Sequence, residues 1–385
     1  MSTLRPASAP RVGSTAPLGR RRVPSVASIV TVVAALAVLA CGERAARTPE
    51  SAATGSTDRV DLLGAGATFP FPLYARWFNQ FAQDSGVRIN YQSIGSGGGI
   101  RQLTAGTVDF GASDVPMSDA EIAEVPGERV VHLPTVLGAV AITYNLPELT
   151  RALRLSPDVV ADIFLGRITR WNDPRLAALN PDQPLPDADI LVVHRSDGSG
   201  TSYIVSDYLS RVSPDWAAGP GRSKDVRWPI GIGGKGNEGV AAQVKAMPGS
   251  IGYLEASYAR QNRLRSAQLR NAAGNFVAPA AYEIALAASS ALASIADTAD
   301  LRVSIVNAPG DRAYPIASFT WMLVAPDLIG PARTDALKRF LRWALADGAE
   351  IARTLGYEPL PPEVAGPLLV SLDRRLPTPA RDDVP

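Results

Sequence analysis

Three glycine-rich segments contain the polar residues that are most able to bind a ligand. They read GAGATF (64–69), GSGGG (95–99) and DGSGTS (197–202), and each follows a predicted strand and precedes a predicted helix. Glycine lets the backbone approach a ligand closely, and the first turn of a helix leaves N–H groups unpaired at the positive end of its dipole. If the three helix starts converge, they would form a binding site for an anion.

The side chains of these segments and of one neighbouring position add further hydrogen-bond donors. Four hydroxyl groups and one guanidinium are available, and the guanidinium could bind an anion through two parallel charge-assisted bonds. The donors are Thr68, Ser96, Ser199, Thr201 and Arg195.

A plainer interpretation explains each segment taken alone. Serine and threonine cap helices, and glycine relieves strain in strand-to-helix turns. On that interpretation Asp114 is a solvated loop residue and Arg195 is a surface charge paired with Asp197. Three segments of the same chemistry in one chain favour the anion site, although spacing alone does not show that they meet.

Other chemistries find little support among the residue types. Cys41 is the single cysteine, which excludes an internal disulfide, a multi-cysteine zinc site and an iron–sulfur cluster. The formal net charge of +1 supplies no basic field for nucleic acid. His132 precedes Leu-Pro and His194 lies in an apolar strand, so both are interpreted as structural residues. We therefore expect no metal, no cofactor and no nucleic-acid partner.

Two glycine motifs resemble those of enzymes only superficially. A G-x-S-x-G nucleophile elbow is absent, because Asp197 rather than glycine stands two residues before Ser199. The segment GIGGKGNEG (231–239) has Gly236 where a nucleotide-binding loop needs Ser or Thr for the metal. This lysine loop is predicted to form the mouth of a second lobe or to cap a helix at Asn237.

The first 57 residues predict export and anchoring. Three arginines precede an apolar run, 28–40, that is shorter than a membrane span and ends before Cys41. Residues 1–40 are therefore predicted to be a signal peptide. Val38-Leu39-Ala40-Cys41 resembles a bacterial lipobox, in which the cysteine is acylated after cleavage, although a plain signal peptide with an incidental cysteine stays open. The polar residues 41–57 are predicted to be a flexible, lipid-anchored tether.

The remainder predicts an α/β fold in which apolar strands alternate with helical segments. Strands are expected at 60–63, 88–93, 108–113, 137–144, 190–194, 251–254, 302–306 and 318–326, with GSGGG as a loop before a helix over 100–105. Tyr74, Trp77, Phe78 and Phe81 mark the buried face of a helix. Capping patterns predict further helix starts at Ser118 and Ser156-Pro157, and a long alanine-rich helix is predicted over 281–296.

The chain is predicted to cross into a second lobe near Asn145 and to return later. The first lobe then comprises 58–143 and 312–371, and the second lobe comprises 144–311. The Pro-rich residues 372–385 are expected to form a frayed tail.

Nine segments together are similar to the periplasmic phosphate-binding component of bacterial high-affinity phosphate ABC importers. They are GAGATFP, YQSIGSGGGIRQL, VDFGASDVPMSD, LPTVLGAVAITYN, IFLGRITRWNDP, HRSDGSGTS, WPIGIGGKGNEGVAA, PGSIGYLEASYA and YPIASFTWMLV. The resemblance covers about 58–370. It implies a type 2 periplasmic-binding-protein fold, two α/β lobes joined by a two-segment hinge that close over the ligand. The departures are the long N-terminal extension, Leu39 and an alanine-rich stretch at 280–310.

The resemblance also implies a ligand set and a role. Phosphate ligands carry over onto Thr68, Phe69 (through its amide), Ser96, Asp114, Arg195, Ser199, Gly200 and Thr201, and Asp197 is implied to orient Arg195. The implied protein is not an enzyme but an extracytoplasmic monomer, in the periplasm or at the cell surface, that delivers phosphate to the permease subunits. Phosphate retains a proton for Asp114 to accept, whereas sulfate has none, which argues against a sulfate or molybdate binder. A secreted phosphatase is disfavoured for want of a nucleophile–base pair or metal cluster.

Overall fold

The structure is a computed structural model that describes residues 60–292, 300 and 302–379. The predicted signal peptide, the tether with Cys41, residues 293–296 of the alanine-rich helix and the end of the tail lie outside the described residues.

Strands and helices alternate along most of the described chain. The strands are β1 Asp61–Gly66, β2 Arg88–Ser93, β3 Phe110–Ser113, β4 Val131–Tyr144, β5 Arg154–Leu155, β6 Leu191–Arg195, β7 Ile232–Gly234, β8 Ser250–Glu255, β9 Arg265–Ser266, β10 Gln268–Arg270, β11 Phe276–Val277 and β12 Ala317–Val324. The helices are α1 Phe71–Ser85, α2 Ser96–Thr104, α3 Asp119–Ala123, α4 Pro157–Phe164, α5 Pro174–Leu179, α6 Gly200–Val212, α7 Pro214–Ala218, α8 Gly236–Ala246, α9 Ala256–Asn262, α10 Ala281–Leu292, α11 Pro331–Leu345, α12 Gly348–Thr354 and α13 Pro362–Arg375.

A mixed sheet in the order β2-β1-β3-β12-β4-β8-β6-β7 runs through the fold, with β9 paired to β4. β1 pairs in parallel with β2 and β3, and β6 pairs in parallel with β7 and β8. A smaller sheet has the order β11-β10-β5. In each parallel group the carboxyl ends of the strands lie on one edge, which is where ligands bind in open α/β sheets.

The long strand β4 lies in the middle of this sheet and pairs with strands of both halves. Val131–Ala139 pairs with β12, and Val140–Tyr144 pairs with β8. We call the side with β12, β3, β1 and β2 the first lobe and the side with β8, β6 and β7 the second lobe. The strand predicted over 137–144 thus begins earlier than expected, because the residues from His132 onward are buried against the neighbouring strands.

Packing of α1 fixes the first glycine-rich segment. Tyr74, Trp77, Phe78 and Phe81 are buried as predicted. The Phe78 and Phe81 rings lie 5.2 and 5.3 Å from the ring of Phe340 in α11. Burial of these large apolar surfaces stabilises α1 against the sheet, so the loop between β1 and α1 is held at the edge of the sheet.

Aromatic residues of the second lobe fix the segment between β6 and α6. The ring of Trp228 lies 5.2 Å from Tyr253 and 5.7 Å from Phe164. The Tyr253 hydroxyl accepts a hydrogen bond from the Arg195 amide at 2.9 Å and shares one with Ser202 Oγ at 2.7 Å. These two bonds tie the end of β6 to the start of α6.

The two capping predictions are confirmed. Ser118 and Glu121 form a reciprocal capping box at the start of α3. Helix α4 begins at Pro157 with Ser156 as its N-cap residue. Among the described residues, no helix combines the length and apolarity needed to span a bilayer.

Three predictions of local structure are wrong. GSGGG is not a loop, because α2 begins at Ser96; a Cβ on Gly99 would lie 2.5 Å from the Gly66 Cα, so close packing of α2 on β1 needs glycine here. Residues 302–306 form no strand, since adjacent Ile305 and Val306 are both buried and the two-residue period is lost. The tail does not fray from 372, because α13 continues to Arg375.

Candidate anion-binding site

The structure brings the predicted anion-binding residues together from both lobes. Thr68 follows β1, Ser96 begins α2 after β2, and Asp114 follows β3 in the first lobe. In the second lobe, β6 ends at Arg195 and α6 begins at Gly200. All the side chains of the predicted set are buried, namely Thr68, Phe69, Ser96, Asp114, Arg195, Ser199 and Thr201.

Direct contacts between the glycine-rich segments show that the two lobes meet here. The Gly97 amide donates a hydrogen bond to the Gly198 carbonyl at 3.0 Å. A Cβ on Gly200 would lie 2.4 Å from Ser96 Oγ and 2.7 Å from Asp114 Oδ2. The starts of α2 and α6 therefore converge, and glycine at 200 permits their approach.

Arg195 is held in place by Asp197 and Thr201. Its Nε donates to Asp197 Oδ1 at 2.8 Å, Nη2 donates to Asp197 Oδ2, and Nη1 donates to Thr201 Oγ1 at 3.2 Å. A guanidinium has five N–H donors, so two remain for a ligand. Burial would raise the pKa of Asp197, but the bonds from Arg195 and the Gly236 amide outweigh it and hold the pKa below its usual range. Asp197 thus stays ionised and fixes the guanidinium plane.

Asp114 is a carboxyl group buried among donors, with only 2% of the residue exposed. Its Oδ1 accepts a hydrogen bond from Thr320 Oγ1 at 2.8 Å, and Oδ2 lies 3.4 Å from Ser96 Oγ. Burial raises the pKa of Asp114 to about 7, opposed by Thr320, Arg195 and Ser96. The interpretation of Asp114 as a solvated loop residue is therefore wrong.

The hydroxyl of Ser199 has a structural role at the start of α6. Ser199 is the N-cap residue, and its Oγ accepts a hydrogen bond from the Ser202 amide at 3.0 Å. The cap and the anion interpretations are compatible, because an accepting hydroxyl still has a hydrogen to donate.

Sequence reasoning missed three groups that support the site. Asn237 was expected at most to cap a helix, but Lys235 is the N-cap of α8 and the Asn237 side chain reaches Thr68 Oγ1 at 2.7 Å. Tyr258 and Tyr357 donate to the carbonyls of Thr68 and Phe69, each at 2.7 Å. The strand-turn-helix pattern around GKGNEG is the sequence feature that could have indicated a role for Asn237 in the site. No local pattern indicates such a role for the two tyrosines.

Both histidines occupy structural positions. His132 Nε2 accepts a hydrogen bond from the Met117 amide at 2.9 Å, and burial, with Arg302 nearby, lowers the pKa of His132 to about 4. The His194 ring stacks on Trp228, and its Nδ1 lies 3.0 Å from the Arg195 carbonyl. Within the part of the chain that the structure describes, no group of three His, Cys, Asp or Glu side chains is placed to hold a metal ion.

Chemically, the site offers many donors and one strongly buried carboxyl group. Helix-start amides, hydroxyl groups and two guanidinium N–H groups can surround an oxyanion. Most of these donors are neutral, so the anion is bound by hydrogen bonds more than by opposite charges. Asp114 could accept a proton carried by that anion.

Comparisons with known proteins decide the family. The PBP superfamily domain matches residues 49–348. The phosphate-binding protein PstS of Pasteurella multocida (strain Pm70) is 45% identical over 310 residues, which is 80% of this chain and 89% of the relative. PstS of Methanocaldococcus jannaschii is 39% identical over 327 residues, covering 80% of this chain and 84% of the relative.

The chain belongs to the phosphate-binding protein family. This family comprises substrate-binding transport proteins that work outside the cytoplasm, which confirms the resemblance found in the sequence.

Solved structures show the same fold. The high affinity periplasmic phosphate-binding protein PfluDING, solved with phosphate at pH 8.5, has a TM-score of 0.66 at 20% identity and covers 81% of this chain and 94% of its own. A putative phosphate ABC transporter substrate-binding protein from Clostridium perfringens, solved with bound phosphate, has a TM-score of 0.57 at 17% identity, with coverages of 78% and 100%. The predicted two-lobed α/β fold of type 2 is confirmed.

Proposed function

We propose that this protein captures inorganic phosphate between its two lobes and delivers it to an ABC importer. The observation that carries the proposal is Asp114, a carboxyl group that is buried beside Ser96 and the start of α6. Membership of the phosphate-binding protein family supports the same substrate.

The proposed ligands are those carried by the family resemblance. Thr68, the Phe69 amide, Ser96, Ser199, the Gly200 amide, Thr201 and Arg195 donate to phosphate oxygens, and Asp114 accepts the proton that phosphate retains. A sulfate oxygen in the same place would face the carboxylate without a hydrogen between them. That repulsion excludes sulfate, because an unpaired buried acceptor costs about 1–3 kcal/mol.

The proposed lobes are 58–143 with 312–371 and 144–311, connected by a two-segment hinge. The change of partner strand within β4, between Ala139 and Val140, supports a crossing of the chain close to the proposed boundary. Closure of the lobes would bury the anion and withdraw it from water.

We further propose that the mature protein is a monomer that acts without catalysis. After removal of residues 1–40, Cys41 carries a lipid, and residues 41–57 tether the lobes to the membrane beside the permease subunits. The lipobox-like sequence Val38-Leu39-Ala40-Cys41 supports this arrangement.

Calorimetric titration tests the proposed substrate. The purified protein, freed of bound anion by partial unfolding and dialysis, is titrated with phosphate, arsenate and sulfate at one pH and ionic strength. Phosphate and arsenate should bind, and sulfate should bind at least about tenfold more weakly. Equal affinity for sulfate would indicate a general oxyanion binder, and no heat with any of the three would contradict the proposal.

A further inference from the structure

Asn237 connects the two lobes beside the anion site. It is the second residue of α8 in the second lobe, and the residue is 0% exposed. Its Nδ2 donates to Thr68 Oγ1 of the first lobe at 2.7 Å, and its backbone amide lies 3.3 Å from the same oxygen. The Asn237 side chain therefore does not cap α8 but reaches across to the first lobe.

The orientation of the Asn237 amide is fixed by its neighbour. The Glu255 amide donates to Asn237 Oδ1 at 2.9 Å. A backbone N–H can only donate, so the side-chain oxygen must face Glu255 and the NH₂ group must face the site. Its two hydrogens point to two hydroxyl oxygens, Thr68 Oγ1 at 2.7 Å and Thr201 Oγ1 at 3.4 Å.

These bonds determine whether the Thr68 hydroxyl donates or accepts a hydrogen bond towards a ligand. A hydroxyl has two acceptor lone pairs and one hydrogen. The two N–H groups of Asn237 occupy both lone pairs of Thr68 Oγ1. The remaining hydrogen must go to another acceptor, and the anion site lies next to it.

Thr201 is placed in the same way. Its Oγ1 accepts from Arg195 Nη1 at 3.2 Å and from Asn237 Nδ2 at 3.4 Å. With both lone pairs used, its hydroxyl can only donate to a ligand.

We propose that Asn237 is a positioning residue that forces the hydroxyls of Thr68 and Thr201 to donate to the bound anion. This inference rests on the proposed function. Asn237 restricts these two hydroxyls to donating, so Asp114 provides the acceptor that distinguishes a protonated anion. Because Thr68 and Asn237 belong to different lobes, the arrangement is complete only when the lobes are closed.

A double-mutant cycle tests the inference. Phosphate titrations compare the wild type, Asn237→Ala, Thr68→Val and the double variant. Each single variant should weaken phosphate binding about tenfold or more, the range for a hydrogen bond to a charged group. The double variant should be no more than about threefold weaker than the worse single one, because Asn237 acts largely through Thr68.

The matched control is Asn180→Ala. Asn180 is also a buried asparagine of the second lobe, and its Nδ2 bonds the Arg154 and Leu176 carbonyls away from the site. Its removal should change the phosphate affinity by less than about twofold after correction for any unfolded fraction.

The outcomes separate this inference from the proposed function. If the losses of phosphate affinity in the two single variants multiply in the double variant, or if Asn237→Ala binds phosphate as the wild type does, the role of Asn237 is overturned. The proposed function would still stand. A wild-type protein that binds no phosphate would overturn both proposals. If Asn237→Ala does not fold, the nearly isosteric Asn237→Asp replaces it. If Asn237→Asp lowers the phosphate affinity as much in the Thr68→Val background as in the wild type, the inference is contradicted.

Discussion

At the scale of single residues, Asp114 separates a phosphate site from a general anion site. In a general oxyanion pocket a carboxylate only repels the ligand, whereas a phosphate site uses it to accept a proton. Asp114 is held by Thr320 on one oxygen and faces Ser96 with the other, so its position is not that of a loose surface acid.

The first prediction concerns selectivity. Asp114→Asn keeps the shape but replaces an obligate acceptor with a group that can also donate. Phosphate should lose little affinity, because the lost charge-assisted bond is offset by relieved repulsion, while sulfate should gain. Competition titrations should show the phosphate-to-sulfate preference falling at least about tenfold, or 1.4 kcal/mol. A variant that rejects sulfate as strongly as the wild type would assign selectivity to other groups.

The second prediction concerns pH. Burial raises the pKa of Asp114 from 3.8, and that of Glu255 from 4.5, to about 7 each. The folded protein therefore keeps protons that the unfolded chain releases, and this stabilisation, complete below about pH 4, is lost as pH rises towards 7. In phosphate-free protein, the unfolding free energy should fall between pH 5 and pH 8 by about 2 kcal/mol more for the wild type than for Asp114→Asn.

Urea unfolding at the two pH values provides the measurement, with Asp84→Asn as the control because Asp84 is exposed on α1. Equal pH dependence of the wild type and Asp114→Asn would contradict a raised pKa at Asp114.

At the scale of elements, the site is built from helix starts that approach one another across the lobes. Helices α2 and α6 begin at Ser96 and Gly200, and the first turn of a helix has amides without a partner inside the helix. Their approach depends on glycine, because the backbone of one lobe contacts the other through Gly97 and Gly198.

Gly200→Ala should block this approach without unfolding either lobe. The new Cβ would meet Ser96 Oγ at 2.4 Å and the Asp114 carboxylate at 2.7 Å, and both belong to the opposite lobe. Gly200 is the first residue of α6, and alanine there is compatible with the helix. We expect at least a tenfold loss of phosphate affinity with unchanged or higher thermal stability.

The control is Gly366→Ala in α13, where a Cβ would have no neighbour within 4 Å. Wild-type phosphate affinity in Gly200→Ala would show that the lobes close without this contact.

At the scale of the whole molecule, ion pairs link α3 of the first lobe to residues that the proposed boundaries assign to the second lobe. Lys224 contacts Glu121 of α3, and Arg302 Nη1 lies 2.6 Å from Asp119 of the same helix. Burial would raise the pKa of Glu121, but the bonds from Lys224 and the Ser118 amide outweigh it and lower the pKa. Glu121 is therefore charged at neutral pH.

Lys224→Ala should speed phosphate release. A partly exposed pair contributes about 1 kcal/mol or less, so the dissociation rate should rise about two- to fivefold, with less effect at high salt. Stopped-flow displacement would measure it, and Arg167→Ala, which removes a surface pair with Asp215 within the second lobe, should leave the rate unchanged. A rate equal to that of the wild type would mean that the pair does not hold the lobes closed.

Anchoring is also a property of the whole molecule. If Cys41 is acylated, the wild-type protein should incorporate a labelled fatty acid and fractionate with membranes, and Cys41→Ala should be released or remain unprocessed. A wild-type protein without label would favour the plain signal peptide.

Much of the local structure could be predicted from the sequence. The aromatic spacing from Tyr74 to Phe81 predicted a helix and its buried face, because burial along a helix follows a 3.6-residue period. Likewise Ser118 and Glu121 predicted a helix start, because a capping box involves only neighbouring residues. Thr68, Ser96 and Thr201 were predicted as donors from residue type beside glycine. By contrast, Ile305 and Val306 were wrongly assigned to a strand, since an apolar pair can also be buried by a loop.

The tertiary structure alone decided how these parts act together. Asn237 and Thr68 are 169 positions apart, and Thr320 and Asp114 are 206 apart. No local period reports such pairs, because they depend on how the lobes and strands pack. The raised pKa of Asp114 likewise follows from burial by both lobes, which a residue's type cannot reveal. The sequence determined which groups could bind an anion, and the packing of the two lobes decided which of them face it and in which sense each one hydrogen-bonds.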